Sequence, residues 1–267
     1  MFQKLLSALG DDLKTWSGRI DRQRHGVVRD RVFFLHIPKC GGTSVTSAIN
    51  RKFAPETIHH VDVLAATRVS SKLDLDLMSY RENLLLYHLA KEDCRLVTGH
   101  YNWSDRAYRL FGDEWKFVTV LRHPVKKWLS QYYFNRYKDI PAQHFQIDVD
   151  IDEYMNSEEG RALGHDQVSK LSDLAITEPD AMLEAALENL DRFDVVGLTE
   201  HLDRFQRDFG QCFGTAIDIS RLNINPAQKR QQTALESPEI HKRVEELCRL
   251  DMVLYRTALE KLELPAK

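Results

Sequence analysis

No stretch of this sequence stays apolar for the roughly 20 residues that a bilayer-spanning helix needs. The opening segment "MFQKLLSALGDDLKTW" carries acids where a secretory signal would be continuously apolar. The expectation is a protein without a stable membrane anchor, resident in the cytoplasm. Cysteine is scarce as well. Cys40, Cys94, Cys212 and Cys248 lie far apart, form no CxxC pair and have no histidine at zinc-site spacing. Reduced thiols are expected, with neither a disulfide framework nor a metal site. There is no excess of charge: a formal net charge of -3 sets up no global field that would draw the chain to nucleic acid, so any anion site must be local. Internal repeats and low-complexity tracts are missing too. What the chain does have is apolar material, 43% hydrophobic residues over 267 positions, enough for one large core.

Residues 1–30 read as an N-terminal helix over 2–17 and a charged connection, and residues 31–267 as one domain. "RVFFLHI" is a continuous apolar run of strand length, as expected of a strand buried on both faces, and "TSVTSAINRKF" continues as a helix. The pattern then alternates. Strands are expected at "RLVTG", "WKFVTVLR" and "FDVVGLT". Helices are expected over "DLDLMSYRENLLLYHLAKED", "WSDRAYRLFG", "PVKKWLSQYYFNRYKD", "PDAMLEAALENLDR" and "EHLDRFQRDFG", the last ending at its glycine. A loop rich in Gln, His and Asp follows residue 138, and one long helix from about Pro238 closes the chain on the stripe Val244, Leu247, Cys248, Leu254, Tyr255, Ala258, Leu262. Strands alternating with helices specify an α/β fold, a single domain with a mostly parallel central sheet flanked by helices and ligands bound at the carboxyl ends of the strands.

The first of those ends is "HIPKCGGTS". A glycine-bearing turn from a buried strand into a helix offers unpaired N–H groups and the positive end of the helix dipole. Gly41 and Gly42 let backbone approach an anion, Thr43 and Ser44 add hydroxyl donors, and Lys39 adds a full charge. The plainer reading is a tight turn whose glycines serve only its geometry. A Walker A loop would carry its lysine after the last glycine; here the lysine comes first, at the end of the strand, where it would reach the far tip of a bound ligand. A second basic strand end, "VLRHPVKKWLSQYYF", supplies Arg122 and, two turns along its helix, Ser130.

Together these two segments resemble the nucleotide-binding segments of sulfotransferases that use 3′-phosphoadenosine 5′-phosphosulfate (PAPS), above all the carbohydrate branch that includes heparan sulfate 2-O-sulfotransferases and bacterial relatives. "GHYNW", "VVGLTEHLDRF", "LNINP" and "DMVLYRTAL" extend the likeness more weakly over most of the chain from residue 31. The resemblance implies a P-loop-like sulfotransferase fold and in-line transfer of a sulfuryl group from PAPS to a carbohydrate-type hydroxyl, with PAP as product and no metal. It implies that Lys39, Gly41, Gly42, Thr43 and Ser44 hold the 5′-phosphosulfate, that Arg122 and Ser130 hold the 3′-phosphate, and that Lys229 and Arg230 lie in a basic loop closing over the nucleotide. Cys40 stands where many relatives carry threonine. Sulfuryl transfer needs no covalent enzyme intermediate, so Cys40 is not expected to act as a nucleophile.

The acceptor hydroxyl must lose a proton, and a histidine suits that task. His100 ends the strand "RLVTG" on the same rim as Lys39 and Arg122, and it matches the Gly-His that carries the base in the 2-O-sulfotransferases; the bland alternative is a histidine that only shapes a loop. His59 and His60 are the next candidates. His36 reads as a core histidine, His123, His144, His165 and His201 as surface or loop residues, with His165 also able to line an acceptor groove. Trp103, Tyr132 and Tyr133 could stack on a sugar or on adenine, but aromatics on such elements are more often core. The acceptor is expected to be a carbohydrate or glycolipid bound by residues 138–180, where Lys138, His144, Arg161 and Lys170 stand among acids without the dense basic stripe of a heparin-binding surface. An ATP-dependent small-molecule kinase and a non-catalytic nucleotide- or glycan-binding relative are the competing classes.

Overall fold

In the computed structural model, which describes residues 27–138, 146–219, 233–235 and 237–265, the apolar runs become five strands of one sheet. They are β1 (Arg31–Leu35), β2 (Ile58–His60), β3 (Leu96–Gly99), β4 (Trp115–Leu121) and β5 (Val195–Leu198). All pairings are parallel, in the order β2-β3-β1-β4-β5. The helices are α1 (Gly42–Asn50), α2 (Val63–Lys72), α3 (Leu77–Ala90), α4 (Asp105–Phe111), α5 (Pro124–Tyr137), α6 (Ile151–Asn156), α7 (Glu158–Leu163), α8 (Asp166–Leu171), α9 (Pro179–Leu190), α10 (Leu202–Phe213), α11 (Pro238–Leu247) and α12 (Arg249–Lys261). The proposed N-terminal helix at 2–17, His144, Lys229 and Arg230 lie outside the described residues.

Alternation along β1 explains why its whole run is apolar. Val32 and Phe34 pack with Val45 and Ile49 of α1 and Phe205 and Phe209 of α10 on one face. Phe33 and Leu35 pack with Leu85 and Leu89 of α3 and Leu254 of α12 on the other. Successive side chains of a strand point to opposite faces, so a strand covered on both sides leaves little place for a polar residue; Thr119 of β4, buried, donates to the Leu35 carbonyl at 3.0 Å. A third cluster joins Trp128 and Tyr132 of α5 to Tyr154, Val244 and Met252. Each large side chain so buried contributes on the order of 1.5–3 kcal/mol.

Three local expectations are corrected. The last helix is two, broken at Cys248, whose φ of -86° and ψ of 15° leave the helical region. The helix after β5 runs straight through Gly210 to Phe213 and ends at Gly214 instead, the residue that takes the left-handed φ of 64°. The loop after residue 138 contains α6, α7 and α8, each six residues long and too short to show a helical period. β2, three residues at the sheet edge, is likewise too short to announce itself.

Candidate active site

The strand order puts β1 between β3 and β4, and register aligns Leu35 with both Gly99 and Thr119. The residues that follow the three strands therefore emerge side by side: the loop holding Lys39 after β1, His100 after β3 and Arg122 after β4. β2 reached β3 from the outer edge and β4 lies on the opposite side of β1, so the chain changes direction at this point, where an open parallel sheet forms its ligand crevice.

The loop after β1 bends through two left-handed residues, Lys39 at φ 64° and Gly41 at φ 71°. Lysine in that region costs about 1–2 kcal/mol. The Arg122 guanidinium offsets part of that cost by donating to the Lys39 carbonyl at 2.9 Å. Beyond Gly41, the N–H groups of Ser44 and Val45 both turn back to its carbonyl at 3.1 and 3.2 Å. Those of Gly42 and Thr43 open α1 ahead of them, in the positions a helix leaves without an internal partner. Gly42 has a packing reason to be glycine that the sequence hides: a Cβ there would fall 1.6 Å from Nε2 of His36. His36 is thus not a histidine inside the strand. It follows β1, stands behind the loop and fills the space beneath Gly42, with its ring stacked on Phe34 at 5.9 Å. Burial, reinforced by His100, lowers its pKa to about 3, so it is neutral at physiological pH.

His100 touches His36 twice. The ring centroids are 4.5 Å apart, and Nδ1 of His100 lies 2.8 Å from the His36 carbonyl. A carbonyl only accepts, so Nδ1 carries the proton and Nε2 holds the lone pair. Burial lowers the pKa of His100, helped by the charges of Arg81 and Lys170, against the opposing pull of the His36 carbonyl and Asp166. Arg81 also donates to the His100 carbonyl at 3.3 Å. His100 is therefore a neutral imidazole of fixed tautomer beside the basic loop.

The Lys39 ammonium sits 3.7 Å from the centre of the Phe134 ring on α5. Burial, and then Arg122, Lys138 and Lys127, bring its pKa down to about 8. The charges that act on it are cations, and Nε of Arg122 is buried with no hydrogen-bond acceptor among the described residues. Concentrated positive charge and an unpaired guanidinium N–H are what an anionic ligand would satisfy. Ser130 is buried on the second turn of α5. Cys40, also buried, has its thiol pushed up to about 12 by desolvation, which keeps it from acting as a thiolate.

The other histidines divide differently from expectation. His59 stacks on His88 at 4.9 Å and meets Lys91 at 3.4 Å, on an edge strand separated from β1 by β3; neither it nor His60 is brought to the loop. His123 is the residue before α5, its N–H donating to Glu200 at 3.2 Å. His201 is buried and bonded to the Pro265 carbonyl at 3.1 Å, so it is no surface residue. His165 precedes α8. Trp103, Tyr132 and Tyr133 are core residues: Trp103 packs with Phe117 and Phe193, and Tyr132 with Trp128 and Tyr154.

Sequence reasoning singled out Lys170 but missed the buried polar groups it joins beneath the site. Lys127, almost wholly enclosed, pairs with Asp166 at 2.6 Å. Lys170, held by the Asn102 side chain at 2.9 Å, and Asp251, buried under α8, complete the group. Asp166 and Lys170 come from the short helix α8 that read as loop, and Asp251 sits among the mostly apolar buried residues of α12.

No family model matches the sequence, and no curated protein is similar to it in sequence. Among solved structures, that of mouse sulfotransferase SULT7A1 complexed with PAP aligns with a TM-score of 0.41 and 13% identity, over 78% of this chain and 64% of that one. This chain thus spans somewhat less than two thirds of that structure's length.

Proposed function

We propose that this protein transfers the sulfuryl group of PAPS to a hydroxyl of a carbohydrate-type acceptor. The observation that carries the reading is the convergence of three adjacent strand ends: the Lys39 loop, Arg122 bound to that loop's backbone at 2.9 Å, and a neutral His100 with its Nδ1 proton held by the His36 carbonyl at 2.8 Å. The two basic segments are also those that carry the sequence resemblance to PAPS-dependent enzymes. The residues present fit a doubly anionic ligand. α1 opens with N–H groups and the hydroxyls of Thr43 and Ser44, and the buried Nε of Arg122 has no hydrogen-bond acceptor among the described residues.

In this reading Gly41, Gly42, Thr43 and Ser44 bind the 5′ end of the donor, and Arg122 and Ser130 its 3′-phosphate. The bond between sulfur and the bridging oxygen breaks as the acceptor oxygen bonds to sulfur. His100 Nε2 takes the acceptor proton, and Lys39 faces the negative charge that develops on the departing phosphate, an interaction that strengthens toward the transition state. Lys229 and Arg230 are proposed to close over the nucleotide. The acceptor, a carbohydrate or glycolipid, would approach past Lys170 and Arg81, the cations beside His100. No role for nucleic acid is proposed.

The first test is direct. PAP should raise the melting temperature at micromolar concentration by coupling binding to folding, and no shift at millimolar PAP would refute the reading. Mass spectrometry of a panel of saccharide and glycolipid acceptors incubated with PAPS then identifies the acceptor by its added sulfate.

A further inference from the structure

Two separate segments form the candidate anion site, and one side chain outside both ties them together. Gln167, on the first turn of α8, is completely buried. Its Oε1 accepts the Arg122 N–H at 2.9 Å and faces the Cys40 thiol at 3.7 Å. Its Nε2 donates to the Arg122 carbonyl at 3.0 Å and lies 3.5 Å from Asp251 Oδ2. An amide side chain has two donor and two acceptor positions, and all of them are engaged here. By bonding both backbone groups of Arg122, Gln167 extends the ladder one residue past Leu121, the last residue of β4. Cys40 is the residue between the two left-handed turns at Lys39 and Gly41, and the Arg122 side chain returns to the Lys39 carbonyl. The circuit from Gln167 through Arg122, Lys39 and Cys40 closes on itself.

Asp251 fixes the anchor. Its carboxylate accepts the N–H groups of Gln167 and Val168 at 3.1 and 2.8 Å, capping α8 from the distant helix α12 and setting the height of the amide. Gln167 bears no net charge, and among the described residues its side-chain hydrogen bonds go to Arg122, Cys40 and Asp251. What it controls is geometry. We infer that Gln167 is the positioning residue that sets the spacing between the first loop and Arg122, and with it the affinity for a ligand anionic at both ends. This rests on the reading of the site as a PAPS site.

The test titrates PAP and inorganic pyrophosphate by calorimetry into wild type, Gln167→Met and Gln167→Leu. Gln167→Met keeps the volume and loses every side-chain hydrogen bond, and Gln167→Leu loses the same bonds from a shorter, equally uncharged side chain. PAP, which needs both segments, is expected to bind both variants about tenfold more weakly, the worth of roughly one hydrogen bond, at unchanged stoichiometry. Pyrophosphate, held by the first loop alone, should lose much less. A general loss of structure would instead lower the stoichiometry and leave the dissociation constant of the folded fraction alone. If Gln167→Met fails to fold, Gln167→Leu supplies the same comparison. A wild-type PAP affinity in either folded variant overturns the inference. If wild type binds pyrophosphate but not PAP, the sulfotransferase reading fails, and the inference is decided by hydrogen exchange at the Arg122 amide: faster exchange in the variants upholds it, and exchange equal to wild type overturns it.

Discussion

Replacing Gly42 by alanine tests the packing beneath the candidate site. Two effects of opposite sign meet there. Gly42 is the first residue of α1, and alanine improves helix propensity by up to about 1 kcal/mol. The new methyl group, however, would stand 1.6 Å from His36 Nε2 and 1.9 Å from its Cδ2. The ring must retreat by about 2 Å to reach ordinary van der Waals separation. It has little room to do so, because His100 lies 4.5 Å away and Phe34 is stacked on it at 5.9 Å with an interplanar angle of 9°. Overpacking of this kind costs about 3 kcal/mol at the upper end of its usual range. The clash wins, with a net loss of about 2 kcal/mol, or roughly 30-fold in the folded-to-unfolded ratio. The melting temperature should fall by roughly 4–8 °C. Urea unfolding of Gly42→Ala, His36→Ala and the double variant measures the effect. Removing the ring first removes the clash and leaves only the helix-propensity gain, so the coupling between the two sites in contact should equal the clash, about 3 kcal/mol. A Gly42→Ala protein as stable as wild type, or single-variant losses that simply add, would refute the reasoning.

Other outcomes follow from the same geometry. His100→Ala should lower transfer by roughly 10²–10⁴-fold while leaving PAP affinity within a few-fold of wild type; full activity would remove His100 from the base role. The pKa of Lys39, lowered to about 8, means that the free protein loses this charge as pH rises through that value. PAP affinity should therefore be weaker at pH 9 than at pH 7, with proton uptake on binding near pH 8 seen by calorimetry in buffers of different ionisation enthalpy. A flat profile would place the ligand away from Lys39. His36 has a folded pKa of about 3 against 6.5 when unfolded. The unfolded state therefore binds more protons between those values, and stability should fall as pH drops from 6.5 toward 3; His36→Asn should flatten that limb in urea titrations. Lys127→Met leaves Asp166 without its partner at 2.6 Å and should cost about 3–5 kcal/mol, with Asp166→Asn in the same chain recovering part of the loss.

The sequence by itself determined the parallel α/β architecture, because a strand buried on both faces is apolar almost throughout and amphipathic helices must alternate with such strands to cover them. Lys39, Arg122 and His100 could be read as neighbours for the same reason: each ends a buried strand, and parallel strands deliver their ends to one edge of the sheet. Only the tertiary structure decided what lies beneath them. Gly42 is glycine because the ring of His36 occupies the space of its missing side chain, a contact that local sequence does not encode. Asp166 and Gln167 were hidden in six residues of helix, less than two turns, whose start is capped by a carboxylate 83 or more positions away. Strand ends announce themselves through local periodicity. The side chains that fix their spacing do not, because the partners that satisfy them are brought together only when the chain has folded.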